Sequence, residues 1–130
     1  MIKDQVIDEK VYYVNRALLK QYADASGDQN PIHQDEDFAK SVGLPDVIAH
    51  GMLTMALVGK YVTELAGGSA NVLELGGRFT KPVIVPAGVD VDLTVSATVT
   101  DVEDGKASLS LSATSAGVKV LGMAKAVIAI

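Results

Sequence analysis

No cysteine and no tryptophan occur in the 130 residues, and aromatic side chains make up only 5% of them. Without cysteine there is no disulfide, no thiolate metal site and no Cys nucleophile. Without tryptophan the core must be assembled from Val, Leu, Ile, Ala and Met, for which a hydrophobic content of 48% leaves ample material. Clustered cations are also missing: 11 Lys and Arg stand against 16 Asp and Glu, for a net charge of −5. That balance disfavours nucleic acid, whose binding depends on neutralising phosphates. It equally disfavours docking on an anionic membrane surface. A single anionic ligand stays open, because a few local cations and backbone amides can hold one. No apolar run reaches the roughly 20 residues of a membrane-spanning helix. Met1 to Lys10 alternates charges with single apolar residues, unlike a signal peptide, so a cytoplasmic protein is expected. With no linker, repeat or low-complexity tract, a single domain over residues 1–130 is expected.

What is present divides into two textures near residue 70. A strand is predicted from Glu9 to Val14, then a helix from Arg16 to about Ala25 capped by Asn15, with Leu18, Leu19 and Tyr22 on its apolar face. A polar loop, Ser26 to His33, follows. Asp35 caps a short helix through Val42, which Gly43 and Pro45 stop. From Gly51 to about Leu65 runs a helix apolar on every side, a pattern that normally means burial on every side. The second half reads as strands: Asn71 to Val85, then Val89 to Thr100 in strict apolar–polar alternation. An Asp104-Gly105 turn leads to the alternating run Ala107 to Thr114, and an Ala116-Gly117 turn leads to Val118 to Ile130. The fold class expected is α+β, a long antiparallel meander wrapped around one buried helix. Leu121, Met123 and Val127 leave the last strand apolar on its second face, for which a homodimer is the economical explanation.

The Ser26–His33 loop carries two titratable groups, Asp28 and His33, with Asn30 between them and Pro31 stiffening the turn. Hydrating or dehydrating a C=C beside a carbonyl moves one proton at the α-carbon and another at the β-oxygen. A carboxylate and an imidazole that touch the same water can supply both transfers. Their ordinary pKa values, near 4 and about 6.5, suit that task near neutrality. Asn30 is placed to hold either group through its side-chain amide. Asp and Asn are also ordinary turn residues, and a histidine here can simply satisfy a carbonyl. His50-Gly51 stands at the start of the apolar helix. The Gly51 amide reads equally well as a plain helix-start group and as a donor, with the helix dipole, to a developing oxyanion. His50 reads as a core or capping residue. No HExxH spacing supports zinc, no Gly-x-Ser-x-Gly elbow supports a hydrolase, and Gly67-Gly68 and Gly76-Gly77 make no phosphate fingerprint.

The run Tyr22-Ala-Asp-Ala-Ser-Gly-Asp28-Gln-Asn30-Pro-Ile-His33, continued by Phe38-Ala39 and by Ile48-Ala-His50-Gly51-Met-Leu, resembles the signature of the MaoC-like, or type 2 enoyl-CoA hydratase, family. With Arg78-Phe79-Thr80 it is similar to actinobacterial members, in particular the B subunits of heterodimeric (3R)-hydroxyacyl-carrier-protein dehydratases. The resemblance spans essentially the whole chain. It implies a hot-dog fold and the interconversion of trans-2-enoyl and (3R)-hydroxyacyl thioesters of CoA or acyl carrier protein, with no metal or other cofactor. It implies Asp28 and His33 as the catalytic acid/base pair, Asn30 in support, and the Gly51 amide as donor to the thioester oxygen. It also implies a homodimer or a paralogous partner subunit. Where some members carry a serine eight positions after the glycine, this chain has Gly59. A hot-dog thioesterase and a non-catalytic acyl-binding subunit are the competing readings. The first usually lacks the Asp-x-Asn-Pro-x-His loop, and the second needs no acid/base pair.

Overall fold

The computed structural model describes residues 1–130. Its strands are β1 (Val6–Val14), β2 (Val72–Phe79), β3 (Val91–Glu103), β4 (Lys106–Ser115), β5 (Val118–Lys119) and β6 (Leu121–Ala129). Its helices are α1 (Arg16–Ser26), α2 (Glu36–Ser41) and α3 (Gly51–Ala66). None of them is long and apolar enough to cross a membrane.

Local chemistry accounts for the boundaries. The Asn15 side chain accepts from the Leu18 amide, and Gly27 ends α1 in the left-handed conformation at φ 81°. Asp35 caps α2 through the Phe38 amide. The β3–β4 hairpin turns on Asp104 and Gly105 at φ 52° and 73°, and the β4–β5 turn on Ala116 and Gly117 at 51° and 74°. Positive φ at both central residues is the backbone twist that two-residue hairpins need.

The inward residues of β3 (Leu93, Val95, Ala97, Val99), β4 (Leu109, Leu111) and β6 (Ala126, Ile128) are all buried, and they share one core with Leu53, Val58, Tyr61 and Val62 of α3. One sheet curled around one helix is therefore the architecture, as expected for a hot-dog fold. The strand order is β1-β3-β4-β6-β2, with β5 paired to β4. Two expectations need correction here. The region 71–85 is not one strand of a meander: β2 pairs with β6 at the far edge of the sheet, and chain neighbours β2 and β3 are not sheet neighbours. Beyond Phe79 the backbone instead bonds to the segment before α3, with Ala49 N donating to Val83 O at 2.9 Å and Val85 N to Val47 O at 2.8 Å. Alternation along a strand reports its two faces and carries no information about which strand lies beside it.

The second correction concerns burial. This chain covers only one face of α3, leaving Met52 61% exposed and Ala56 exposed. Beside that face lies edge strand β2, with Leu73, Leu75 and Phe79 also exposed. The apolar surface expected on β6 is smaller. Met123 is open and Val127 partly buried, but Leu121 belongs to the core. The left-handed backbone of Met123, φ 50°, shifts the in–out phase between Leu121 and Ala124.

The β2–β6 register shifts between Gly76 and Arg78. A Cβ on Gly77 there would lie 3.2 Å from the backbone Cα of Ala124, whereas one on Gly76 would meet nothing within 4 Å. Gly77→Ala should therefore lower stability by about 1–3 kcal/mol, since strand backbone has to move. Gly76→Ala should stay within about 0.5 kcal/mol of wild type. Urea unfolding of the two variants checks this, and equal midpoints would remove the packing explanation.

Candidate active site

Three backbone segments bring the candidate residues together. After α1 the chain runs through Asp28 and Asn30 into a 3₁₀ turn, Pro31–His33. That turn meets Ile48 twice: Ile48 N donates to Ile32 O at 3.2 Å, and His33 Nδ1 lies 2.8 Å from Ile48 O. The other side of this segment is bonded to Val83 and Val85, as above. The same segment leads directly into Gly51, the first residue of α3. Arg16 braces it from behind, bonding Val85 O at 2.6 Å and the Asp46 carboxylate at 2.8 Å.

The polarity of His33 follows from these contacts. A carbonyl can only accept, so Nδ1 carries the proton and the neutral ring presents a lone pair at Nε2. That Nε2 is 4.0 Å from Asp28 Oδ2. Two acceptors facing each other at this spacing are too far apart for a direct hydrogen bond. The gap fits one water donating an O–H to each. His33 is buried at 7% exposure, whereas the Asp28 side chain is 53% exposed. Burial is the main cause that lowers the His33 pKa below 6.5; the bond to Ile48 O opposes it, His50 lowers it further, and Asp28 raises it.

Asn30 bonds into the loop on both sides, once through its backbone and once through its side-chain amide. Its backbone N–H donates to Asp28 Oδ1 at 3.2 Å, and its side-chain oxygen accepts from Ile32 N, capping the turn that carries His33. The residue is exposed, and both of its bonds lie within the loop.

His50 is more deeply engaged than its sequence position suggests. It is 2% exposed, stacks on His33 with ring centroids 3.8 Å apart, and meets Tyr22 edge-on at 4.8 Å. Its Nε2 lies 3.1 Å from the Asp28 carbonyl, so it donates there, while Nδ1 is buried without a partner. One ring thus links the Asp28 loop to the residue before Gly51. Asp28, His33 and His50 bring potential ligand atoms within 4.8 Å of one another. Lone pairs lie in the ring plane, and rings stacked at 24° aim theirs side by side rather than at one point. The cluster is built as a hydrogen-bonded stack, and the geometry suits a shared metal ion poorly.

His33 and Gly51 line a cavity of about 330 Å³, together with Ile48, Thr54, Phe79 and Lys81 among others. As the first residue of α3, Gly51 has an amide with no intrahelical acceptor. A Cβ at Gly51 would stand 3.1 to 3.3 Å from the Phe79 ring, so glycine lets that ring close over the helix start. Spacing alone did not mark Thr54, Phe79 and Lys81 as cavity residues; the signals were Thr54 as the one polar residue in the run Met52 to Val58, Phe79 within the Arg78-Phe79-Thr80 match, and Lys81 as a cation beside it. Gly59 faces elsewhere, a Cβ there meeting Leu75 at 3.3 Å.

With this geometry in view, the comparisons agree on one family. A profile described as "MaoC like domain" matches residues 1–117. The chain belongs to the MaoC-like domain family. It is 39% identical to the "3-hydroxyacyl-thioester dehydratase X" of Mycobacterium tuberculosis over 59% of this chain and 26% of that protein. A solved "MaoC-like dehydratase" superposes with a TM-score of 0.96 at 31% identity, covering all of this chain and 41% of that one. R-Hydratase PhaJ1 from Pseudomonas aeruginosa superposes with a TM-score of 0.83 at 26% identity, covering 99% of this chain and 82% of that one. The chain therefore spans about a quarter of the dehydratase and about two-fifths of the first solved structure.

The His33 environment has a signed pH consequence. Between the lowered folded value and about 6.5 the unfolded chain binds more protons, so stability falls as pH drops through that window. Urea midpoints from pH 7.5 down to 5 should decline more steeply in wild type than in His33→Gln. Parallel declines would show that His33 does not titrate in this way.

Proposed function

We propose that this chain acts as one MaoC-like hot-dog domain of residues 1–130 that interconverts trans-2-enoyl and (3R)-hydroxyacyl thioesters, carried on CoA or acyl carrier protein, in fatty-acid metabolism. The observation carrying this reading is the 4.0 Å gap between Asp28 Oδ2 and His33 Nε2, with His33 and the Gly51 helix start on one cavity. The relatives named dehydratase and hydratase support it, since these are opposite directions of one reaction.

In the hydration direction Asp28 and His33 hold a water by its two O–H bonds, leaving an oxygen lone pair free to attack the β-carbon. His33 Nε2 takes one proton as the C–O bond forms; the other stays on the new hydroxyl. Charge moves onto the thioester oxygen, where the Gly51 amide and the positive end of α3 stabilise the enolate. The new hydroxyl, which occupies the gap where the water stood, accepts the His33 proton as it gives its own to the Asp28 carboxylate, and the Asp28 carboxyl delivers that proton to the α-carbon on the face that the water attacked. One O–H and one C=C π bond are lost, C–O and C–H are gained, and both side chains return to their starting states. No step draws on a metal or redox cofactor. A cytoplasmic setting fits this chemistry.

Incubation with crotonyl-CoA, following enoyl absorbance and free thiol together, tests the reading. Loss of the enoyl signal without thiol is expected. Thiol release would make the protein a thioesterase, and no change in either would leave an acyl-binding subunit. Asp28→Asn and His33→Ala should each lower hydration roughly 10²–10⁴-fold with the fold intact by circular dichroism. Near wild-type rates in either would remove that residue from the pair.

The exposed apolar strip on β2 and α3 is matched by a second copy of the chain, or by a paralogous subunit of the same fold, rather than by nucleic acid or membrane. An unpaired edge strand that is also apolar needs such a cover. Light scattering should find wild type dimeric and the double variant Leu73→Glu, Leu75→Glu monomeric. A monomeric wild type that binds no paralogue would end this proposal.

A further inference from the structure

The charges around the candidate site are divided by sign. On the Asp28 side lies a shallow depression lined by Gln29, Pro31, Gln34, Asp35, Glu36 and Asp37, with three carboxylates and no cation. On the other side, the cavity holding His33 and Gly51 has Lys81 as its only charged wall residue and no carboxylate. The backbone adds two more cations at that corner. Thr80 N donates to Val120 O at 3.0 Å and Thr80 Oγ1 to Lys119 O at 3.1 Å, which sets Lys119 beside Lys81's neighbour. Arg78 precedes Thr80 by two residues and pairs with Gly122.

These cations are free. The ion pairs of the chain engage Lys10, Arg16, Lys20, His33 and Lys40, and none involves Arg78, Lys81 or Lys119. In a protein of net charge −5, the unpaired Lys81 on the cavity wall, with Lys119 and Arg78 close by along the paired backbone, makes a local field of the opposite sign. An anion approaching the thioester site is repelled on the Asp35–Asp37 side and attracted on the Lys81 side.

We propose that Lys81, supported by Arg78 and Lys119, is the phosphate-binding and entry determinant of this site. The group recognised is the phosphate of a phosphopantetheine arm, whose thioester end reaches Gly51 while its phosphate stays outside the cavity. This rests on the thioester reading above. Free CoA and a carrier protein both present this chemistry, and they differ in what lies beyond the phosphate.

The test compares three crotonyl thioesters: N-acetylcysteamine, which lacks the arm's phosphate, CoA, and holo acyl carrier protein. In Lys81→Glu the kcat/KM for phosphate-bearing substrates relative to the N-acetylcysteamine thioester should fall on the order of 10-fold, through KM, with a weaker dependence on salt. Lys81→Arg should restore the ratio. A larger loss with CoA than with carrier protein assigns the site to CoA, and the reverse assigns it to the carrier. A ratio within about twofold of wild type in both Lys81→Glu and the triple charge reversal overturns the proposal while leaving hydration intact. If wild type hydrates none of the three, the hydratase reading fails instead. Calorimetric binding of crotonyl-CoA to wild type and Lys81→Glu then decides the phosphate site: weaker binding in the variant supports it, and equal binding or none overturns it.

Discussion

The hydrogen bonds at the backbone of Ile48 are the constraint on which the candidate site depends. Its carbonyl takes the His33 proton at Nδ1 and its amide reaches back to Ile32. The first bond selects the tautomer that leaves Nε2 basic, and the second fixes the distance between the Asp28 loop and the start of α3. Because Val47 and Ala49 are bonded to Val85 and Val83, the same segment also ties the loop to the sheet side of the cavity. A small shift at Ile48 would move His33 and Gly51 relative to each other, and geometry of this kind is where rate is most easily lost.

Burial and exposure are distributed to match. His33 and His50 form an enclosed stack whose desolvation keeps His33 neutral, while the Asp28 carboxylate remains open to solvent. A neutral imidazole facing an open carboxylate can handle water without either group spending a large desolvation cost. The positive end of α3 opens at Gly51 on the cavity that His33 and Lys81 also line. Carboxylates of Asp35–Asp37 line the depression beside the loop and Lys81 lines the cavity with Gly51, so the surroundings of the site change sign from one to the other.

Much of this was legible in residue order. The caps at Asn15 and Asp35, the turns at Asp104-Gly105 and Ala116-Gly117, and the long alternation from Val91 to Val99 are local signals, and each has a local physical cause. The pair Asp28 and His33 was legible for the same reason: only four residues, one of them proline, separate them in a single loop. His50 was read as a core or capping residue. It is both buried and at the helix N-cap position, but its stacking on His33 and its bond to the Asp28 carbonyl are contacts across 17 and 22 residues that no spacing rule encodes.

Sequence by itself determined most of the elements, the α+β class, the loop that places Asp28 and His33 together and the glycine that opens the apolar helix, because each depends on neighbours a few residues away. Only the tertiary structure decided that β2 pairs with β6 rather than β3, that one face of α3 stays open, and that Thr54, Phe79 and Lys81 surround His33 and Gly51. Those outcomes depend on which distant surfaces meet, and a period of two or 3.6 residues names a face without naming what covers it.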